Sequence, residues 1–131
     1  THHCLIESIK EIKIGESISR IGKRIDQIAS ENNFSVVRDF CGHGVGINFH
    51  ENPSIVHYYD QEYDNIKFID GMIFTVEPMI NAGKYHSKIL ADGWTAVTKD
   101  KTLSAQYEHT VYINGDNIEI LTESPNGVFY S

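Results

Sequence analysis

Three apolar-flanked segments of this chain each carry one strong metal-ligand side chain. They are Gly42-His43-Gly44-Val45-Gly46, then Thr75-Val76-Glu77-Pro78-Met79, then Ser104-Ala105-Gln106-Tyr107-Glu108-His109-Thr110. Together they offer one imidazole, His43, and two carboxylates, Glu77 and Glu108. Such a donor set suits hard or borderline divalent cations: manganese, iron, cobalt or zinc. A cation held this way activates water near neutral pH, so the pattern points to a hydrolase. Taken singly, each signal has a plainer reading: His43 as a turn residue among glycines, Glu77 as a sheet-edge carboxylate facing water. Two carboxylates inside apolar runs count against that reading, because buried acids are rare unless paired or metal-bound.

The elements that must position these groups follow from periodicity. Cys4 to Ile14 reads as a short helix with Leu5, Ile6, Ile9 and Ile12 on one side, ended by Gly15. Ser17 caps a second helix, in which Ile18, Ile21, Ile25 and Ile28 form an apolar stripe and Asn32-Asn33 closes the run. The period changes after Phe34. Val36-Val37, Met72 to Ile80, Ala105 to Ile113 and Ile118 to Leu121 are β-rich. Asn114-Gly115-Asp116-Asn117 is a hairpin turn, and Asp70-Gly71 and Ala82-Gly83-Lys84 are turns flanking the Glu77 strand. Asp60 to Asn65 is an acidic loop. Helix, helix, then mostly antiparallel strands predicts an α+β layer packing.

Composition bounds the rest. A length of 131 residues makes one domain, 1–131, the default. The formal charge of -7 and a pI near 5.4 argue against nucleic-acid binding as the main task, with Lys99 and Lys101 as a local basic exception. Two cysteines, Cys4 and Cys41, do not make a disulfide framework and read as reduced thiols in a cytoplasmic setting. No stretch is long and apolar enough for a membrane span.

The three segments, with Phe49-His50-Glu51-Asn52-Pro53, Asp92-Gly93-Trp94-Thr95 and Leu103, resemble the type I methionine aminopeptidases of the pita-bread metallopeptidase superfamily. The resemblance runs from the first helix to Leu121-Thr122. It implies a pita-bread fold and removal of the initiator methionine from nascent polypeptides, with two divalent metal ions. It implies His43, Glu77 and Glu108 as metal ligands, with Glu77 also the general base and Glu108 bridging both ions. It implies that His50 hydrogen-bonds the scissile peptide, and that Phe49 and Trp94 line the methionine side-chain pocket, their plainer role being core packing. His109 points to the other face of its strand and reads as a structural residue or one that supports the ligands, not as a ligand itself. Ser104 matches a position whose carbonyl helps bind a monovalent cation in some members. His2, His3, His57 and His86 carry no pattern.

The family's site has five ligands, two of them aspartates on strands preceding this region. Asp26, Asp39, Asp60, Asp64 and Asp70 lie in helix-like or polar settings and supply no such motif. The chain also starts at Thr1. The expectation is therefore the C-terminal half of a longer enzyme, inactive alone, that joins its missing N-terminal half or self-associates. Nascent-chain N-termini and the ribosome are the implied partners, with no membrane and no nucleic acid. Two rival readings remain. A proline-directed pita-bread peptidase usually carries Pro-Gly after the central Glu, whereas Met79 follows Pro78 here. A non-catalytic, partner-binding pita-bread protein tends to lose ligands. A type II methionine aminopeptidase would need a long insertion, and His50 and Glu77 stand too close for it.

Overall fold

The computed structural model describes residues 1–125. Helix α1 spans His2–Ile9 and α2 spans Ser19–Glu31. Strands follow as β1 (Ser35–Val36), β2 (Gly42–Gly44), β3 (Glu51–Ile55), β4 (Ile73–Val76), β5 (Met79–Asn81), β6 (Ser87–Ile89), β7 (Ala96–Thr98), β8 (Ser104–Gln106), β9 (His109–Asn114) and β10 (Asn117–Ile120). The architecture is the expected α+β arrangement, with every paired strand antiparallel.

The helical stripe of α2 faces inward as its period requires: Ile21 and Ile25 are fully buried and Ile28 nearly so. The N-cap of α2 is Ile18 and not the expected Ser17, and it makes no side-chain cap bond; Ser17 sits one residue earlier in a β-bridge with Lys67, its hydroxyl accepting the Ser19 backbone N–H at 3.1 Å. The first helix is shorter than its sequence suggests. After Ile9 the chain continues in tight turns, Glu11 N–H to Ser8 carbonyl and Ile12 N–H to Ile9 carbonyl, which still bury Ile12.

Among the described residues three sheets form, in the orders β10-β9-β4-β2-β3, β1-β5-β8 and β6-β7. Leu5, Ile9, Ile21 and Ile25 of the helices meet Val36, Ile55, Phe74, Val76, Ile80, Val111 and Ile113 of the sheets in one apolar cluster. Fully burying one such side chain is worth about 1.5–3 kcal/mol. Phe68 stacks on Phe74 within this cluster, with ring centroids 5.8 Å apart. Helix α2 approaches the chain after β3 so closely that a Cβ on Gly22 would lie 2.1 Å from the Tyr58 carbonyl oxygen. That contact clamps residues 56–58 beneath the helix.

The β-rich runs expected at Met72 to Ile80 and Ala105 to Ile113 are each split in two. Strand β4 pairs with β9, ending at Val76 opposite His109, and β5 pairs with β8, beginning at Met79 opposite Gln106. Both ladders keep the same register. The break is therefore two residues on each side, Glu77-Pro78 against Tyr107-Glu108. Pro78 lacks an N–H and cannot carry the ladder through.

Candidate metal and catalytic site

The break in the ladder is where the chemistry sits. Because the register does not shift across it, Glu77 lies opposite Glu108. Residues two apart on a strand share a face, so Thr75 and Glu77 look the same way as Glu108 and Thr110. Strand β2 reaches this face from the other side of β4, through the Gly44–Phe74 pair. The His43 backbone N–H donates to Thr75 Oγ1 at 3.0 Å. His43 is thus a strand residue and not the turn residue that its glycines suggest. The glycines serve closeness instead: a Cβ on Gly42 would fall 2.3 Å from the Thr75 carbonyl oxygen.

The imidazole of His43 is oriented as a ligand would be. Its Nδ1 is 2.8 Å from the Gly44 carbonyl. A carbonyl only accepts, so Nδ1 carries a proton, and in the neutral ring Nε2 is then the nitrogen left with a lone pair. That Nε2 stands 3.9 Å from Glu77 Oε2. Two donors on one ion with bonds of ~2.1 Å can be at most roughly 4.2 Å apart, so this pair fits a common cation. Among the described residues no three His, Cys, Asp or Glu side chains gather closely enough to hold an ion. His43 and Glu77 meet as a pair, and Glu108, expected to join them, is exposed opposite Glu77 across the ladder break without closing a three-residue group.

Glu77 is tied down twice. The Thr75 hydroxyl donates to its Oε2 at 2.8 Å, and its own backbone N–H donates to His57 Nε2 at 3.0 Å. Burial raises the Glu77 pKa above the usual carboxylate range; the Thr75 hydrogen bond opposes this, the charge of Glu108 adds to it, and His43 opposes it. His57 is buried, and desolvation lowers its pKa to about 3.

The loop after β2 brings two further residues to His43. The His50 ring centroid is 4.1 Å from that of His43, and Phe49 lies 5.5 Å from His43 and edge-on to His50 at 4.6 Å. Glu51 holds this loop by accepting the Asn48 N–H at 2.8 Å. An open cleft of about 760 Å³ is lined by Asp39, Cys41, His43, His50, Glu51 and Glu77, among others. Phe49, 73% exposed, is no core residue. Trp94, 88% exposed, stands at the β6–β7 hairpin tip and is not among the residues lining the cleft. The Asp92 carboxylate shapes that tip by accepting the Trp94 and Thr95 N–H groups. His109 faces away, buried opposite Val76, with Nδ1 2.9 Å from the Thr122 hydroxyl, the structural position its sequence suggests. Sequence reasoning missed His57 and Thr75. Thr75 was detectable in principle, two residues before an acid in an apolar run, at the same-face spacing; His57 left no local signal.

The fold and this donor set define a pita-bread metallopeptidase arrangement. The profile of metallopeptidase family M24 matches residues 1–115, and the chain belongs to that family. It is 50% identical over 115 residues to the methionine aminopeptidase of Buchnera aphidicola subsp. Acyrthosiphon pisum, covering 88% of this chain and 43% of that protein. It is 45% identical over 122 residues to the methionine aminopeptidase of Escherichia coli K12, covering 93% of this chain and 46% of that protein. The crystal structure of methionine aminopeptidase from Rickettsia prowazekii superposes with a TM-score of 0.87 at 43% identity, over 93% of this chain and 49% of that one. The Thermotoga maritima enzyme gives 0.89 at 36%, over 95% and 49%. A Pyrococcus horikoshii prolidase, at 21% identity and a TM-score of 0.62, over 94% and 30%, shares the fold. The chain spans about half the length of the curated relatives it matches.

Proposed function

We propose that this chain supplies one part of the active site of a methionine aminopeptidase, which hydrolyses the initiator methionine from nascent polypeptides. The observation that carries the reading is the opposition of Glu77 and Glu108 at an unshifted ladder break, with His43 Nε2 3.9 Å from Glu77. His43, Glu77 and Glu108 would hold two divalent ions (cobalt, manganese, iron or zinc) together with ligands from outside the described residues. Such ions, when bound, polarise the scissile carbonyl and lower the pKa of water. The chain's own residues do the rest. Glu77 takes the proton of the attacking water and passes it to the leaving amine, a task suited by its raised pKa. His50, exposed at the cleft, donates to the scissile peptide as charge develops there, an effect worth ~2.7–4 kcal/mol in comparable sites. Phe49, packed against His43 and His50, and Trp94, carried on the β6–β7 hairpin tip, would contact the methionine side chain in the complete site, where thioether–aromatic packing favours Met. On this reading the protein works in the cytoplasm, at or near the ribosome.

Methionine release from a Met-Ala-Ser peptide tests this. The chain alone should turn over little or nothing. Adding the N-terminal half of the enzyme, in cis or in trans, should restore release, and Glu77→Ala should abolish the restored activity. Full turnover by residues 1–131 alone, or an active Glu77→Ala protein, would refute the proposal.

A further inference from the structure

His57 is a buried, titratable side chain with no part in the steps above, yet it touches the residue on which they turn. It follows β3 on the segment that Gly22 of α2 clamps from above. His57 is 2% exposed, and its Nε2 is the acceptor for the Glu77 backbone N–H at 3.0 Å. The place of that bond is what matters. Glu77 and Pro78 fall between β4 and β5, where the ladder to β8 and β9 is broken. Pro78 has no N–H, so Glu77 supplies the one backbone donor of that two-residue gap. A buried donor without a partner is strongly unfavourable, and here a side chain from the bend after β3 takes the place that a ladder carbonyl would fill.

We infer that His57 is a positioning residue for Glu77: its Nε2 lone pair pins the Glu77 backbone at the ladder break, so that the Thr75 hydroxyl can aim the carboxylate at His43. The bond needs an unprotonated Nε2, which puts the ring proton on Nδ1. Glu77 is then held at two points, its backbone by His57 from the segment after β3 and its carboxylate by Thr75 from β4. The inference rests on the proposed ligand role of Glu77 only for its metal arm.

The test uses the whole chain without turnover, so its failure is distinct from a failure of the proposed activity. In ¹⁵N-labelled protein, a scalar coupling through the hydrogen bond should link the Glu77 amide nitrogen to His57 Nε2; absence of that coupling overturns the inference. Leucine keeps bulk but offers no acceptor, whereas glutamine places an acceptor near the position of Nε2. His57→Leu should speed hydrogen exchange at the Glu77 amide by about tenfold or more while leaving Val76 and Met79 nearly unchanged, and His57→Gln should restore protection. With Co²⁺ alone as probe, His57→Leu should weaken binding by about tenfold and His57→Gln should recover most of it. Equal acceleration across residues 76–79, or a glutamine variant no better than leucine, means a merely space-filling role and overturns the inference. Should the leucine protein not fold, His57→Asn, whose shorter side chain cannot reach the amide, replaces it under the same criteria.

Discussion

Replacing Gly42 by alanine sets two effects of known size against each other at the site itself. Glycine in a strand interior is disfavoured against alanine by roughly 0.5–1 kcal/mol of backbone entropy, so on local grounds Gly42→Ala should stabilise. The tertiary structure reverses the sign. The new methyl carbon would lie 2.3 Å from the Thr75 carbonyl oxygen and 3.1 Å from both the Thr75 carbonyl carbon and Oγ1. Ordinary contact needs ~3.5 Å, so β2 and β4 must part by roughly 1 Å. The obstacle is backbone, not the far end of a flexible side chain. Overpacking of this kind costs about 1–3 kcal/mol. The hydrogen bond from His43 N–H to Thr75 Oγ1, at 3.0 Å, stretches at the same time and contributes about 1 kcal/mol more. The net expectation is a loss of ~1–3 kcal/mol, or a fall in Tm of roughly 3–10 °C for a chain of this length. Urea titration of wild-type and variant proteins, read as a change in midpoint at constant slope, measures it. Because Thr75 also carries the bond to Glu77, Co²⁺ affinity should fall in parallel. A variant as stable as wild type, or more stable, would show that the β2–β4 seam accepts a methyl group and that the tight approach does not hold His43 against Glu77.

Two further outcomes follow from the same contacts. Thr75→Val keeps the shape but removes the hydroxyl that donates to Glu77 and accepts from His43; the Glu77 pKa should rise further and stability should drop by about 1–2 kcal/mol. A ¹³C-detected titration of the Glu77 carboxyl checks this, and an unmoved midpoint would contradict it. The pH dependence of stability has a definite sign. The His57 pKa is about 3 in the folded chain against 6.5 as its reference, so between those values the unfolded chain binds the proton and the folded chain does not. Its contribution is complete above pH 6.5 and is lost as pH falls, at up to about 1.4 kcal/mol per pH unit. His109, also lowered chiefly by burial, acts in the same direction, and Glu77, whose pKa is raised, acts in the opposite one. Denaturation midpoints between pH 7 and pH 5 should therefore fall more steeply for wild type than for His57→Leu, and equal slopes would refute the assignment.

Much of this protein can be read from its sequence because the relevant forces are local or periodic. The isoleucines of α2 recur at helical spacing, and their burial follows from that spacing. The turn at Asn114 to Asn117 carries its own backbone preferences, and β9 and β10 pair across it with Asn114 opposite Asn117. His43, Glu77 and Glu108 stand out by side-chain chemistry, since acids within apolar runs and a histidine among glycines are anomalies visible at their own positions. What lay beyond the sequence is pairing between distant segments. The same glycines that suggest a turn at His43 serve a strand, because β4 comes within 2.3 Å of where a Gly42 side chain would begin. The long β-rich runs break at Glu77-Pro78 because a second strand breaks opposite at Tyr107-Glu108, and only the shared register puts the two carboxylates face to face. His57 is silent in sequence for the same reason: its role is defined by an amide 20 positions along the chain, which closes on its ring only when β3 and β4 have taken their places in the sheet.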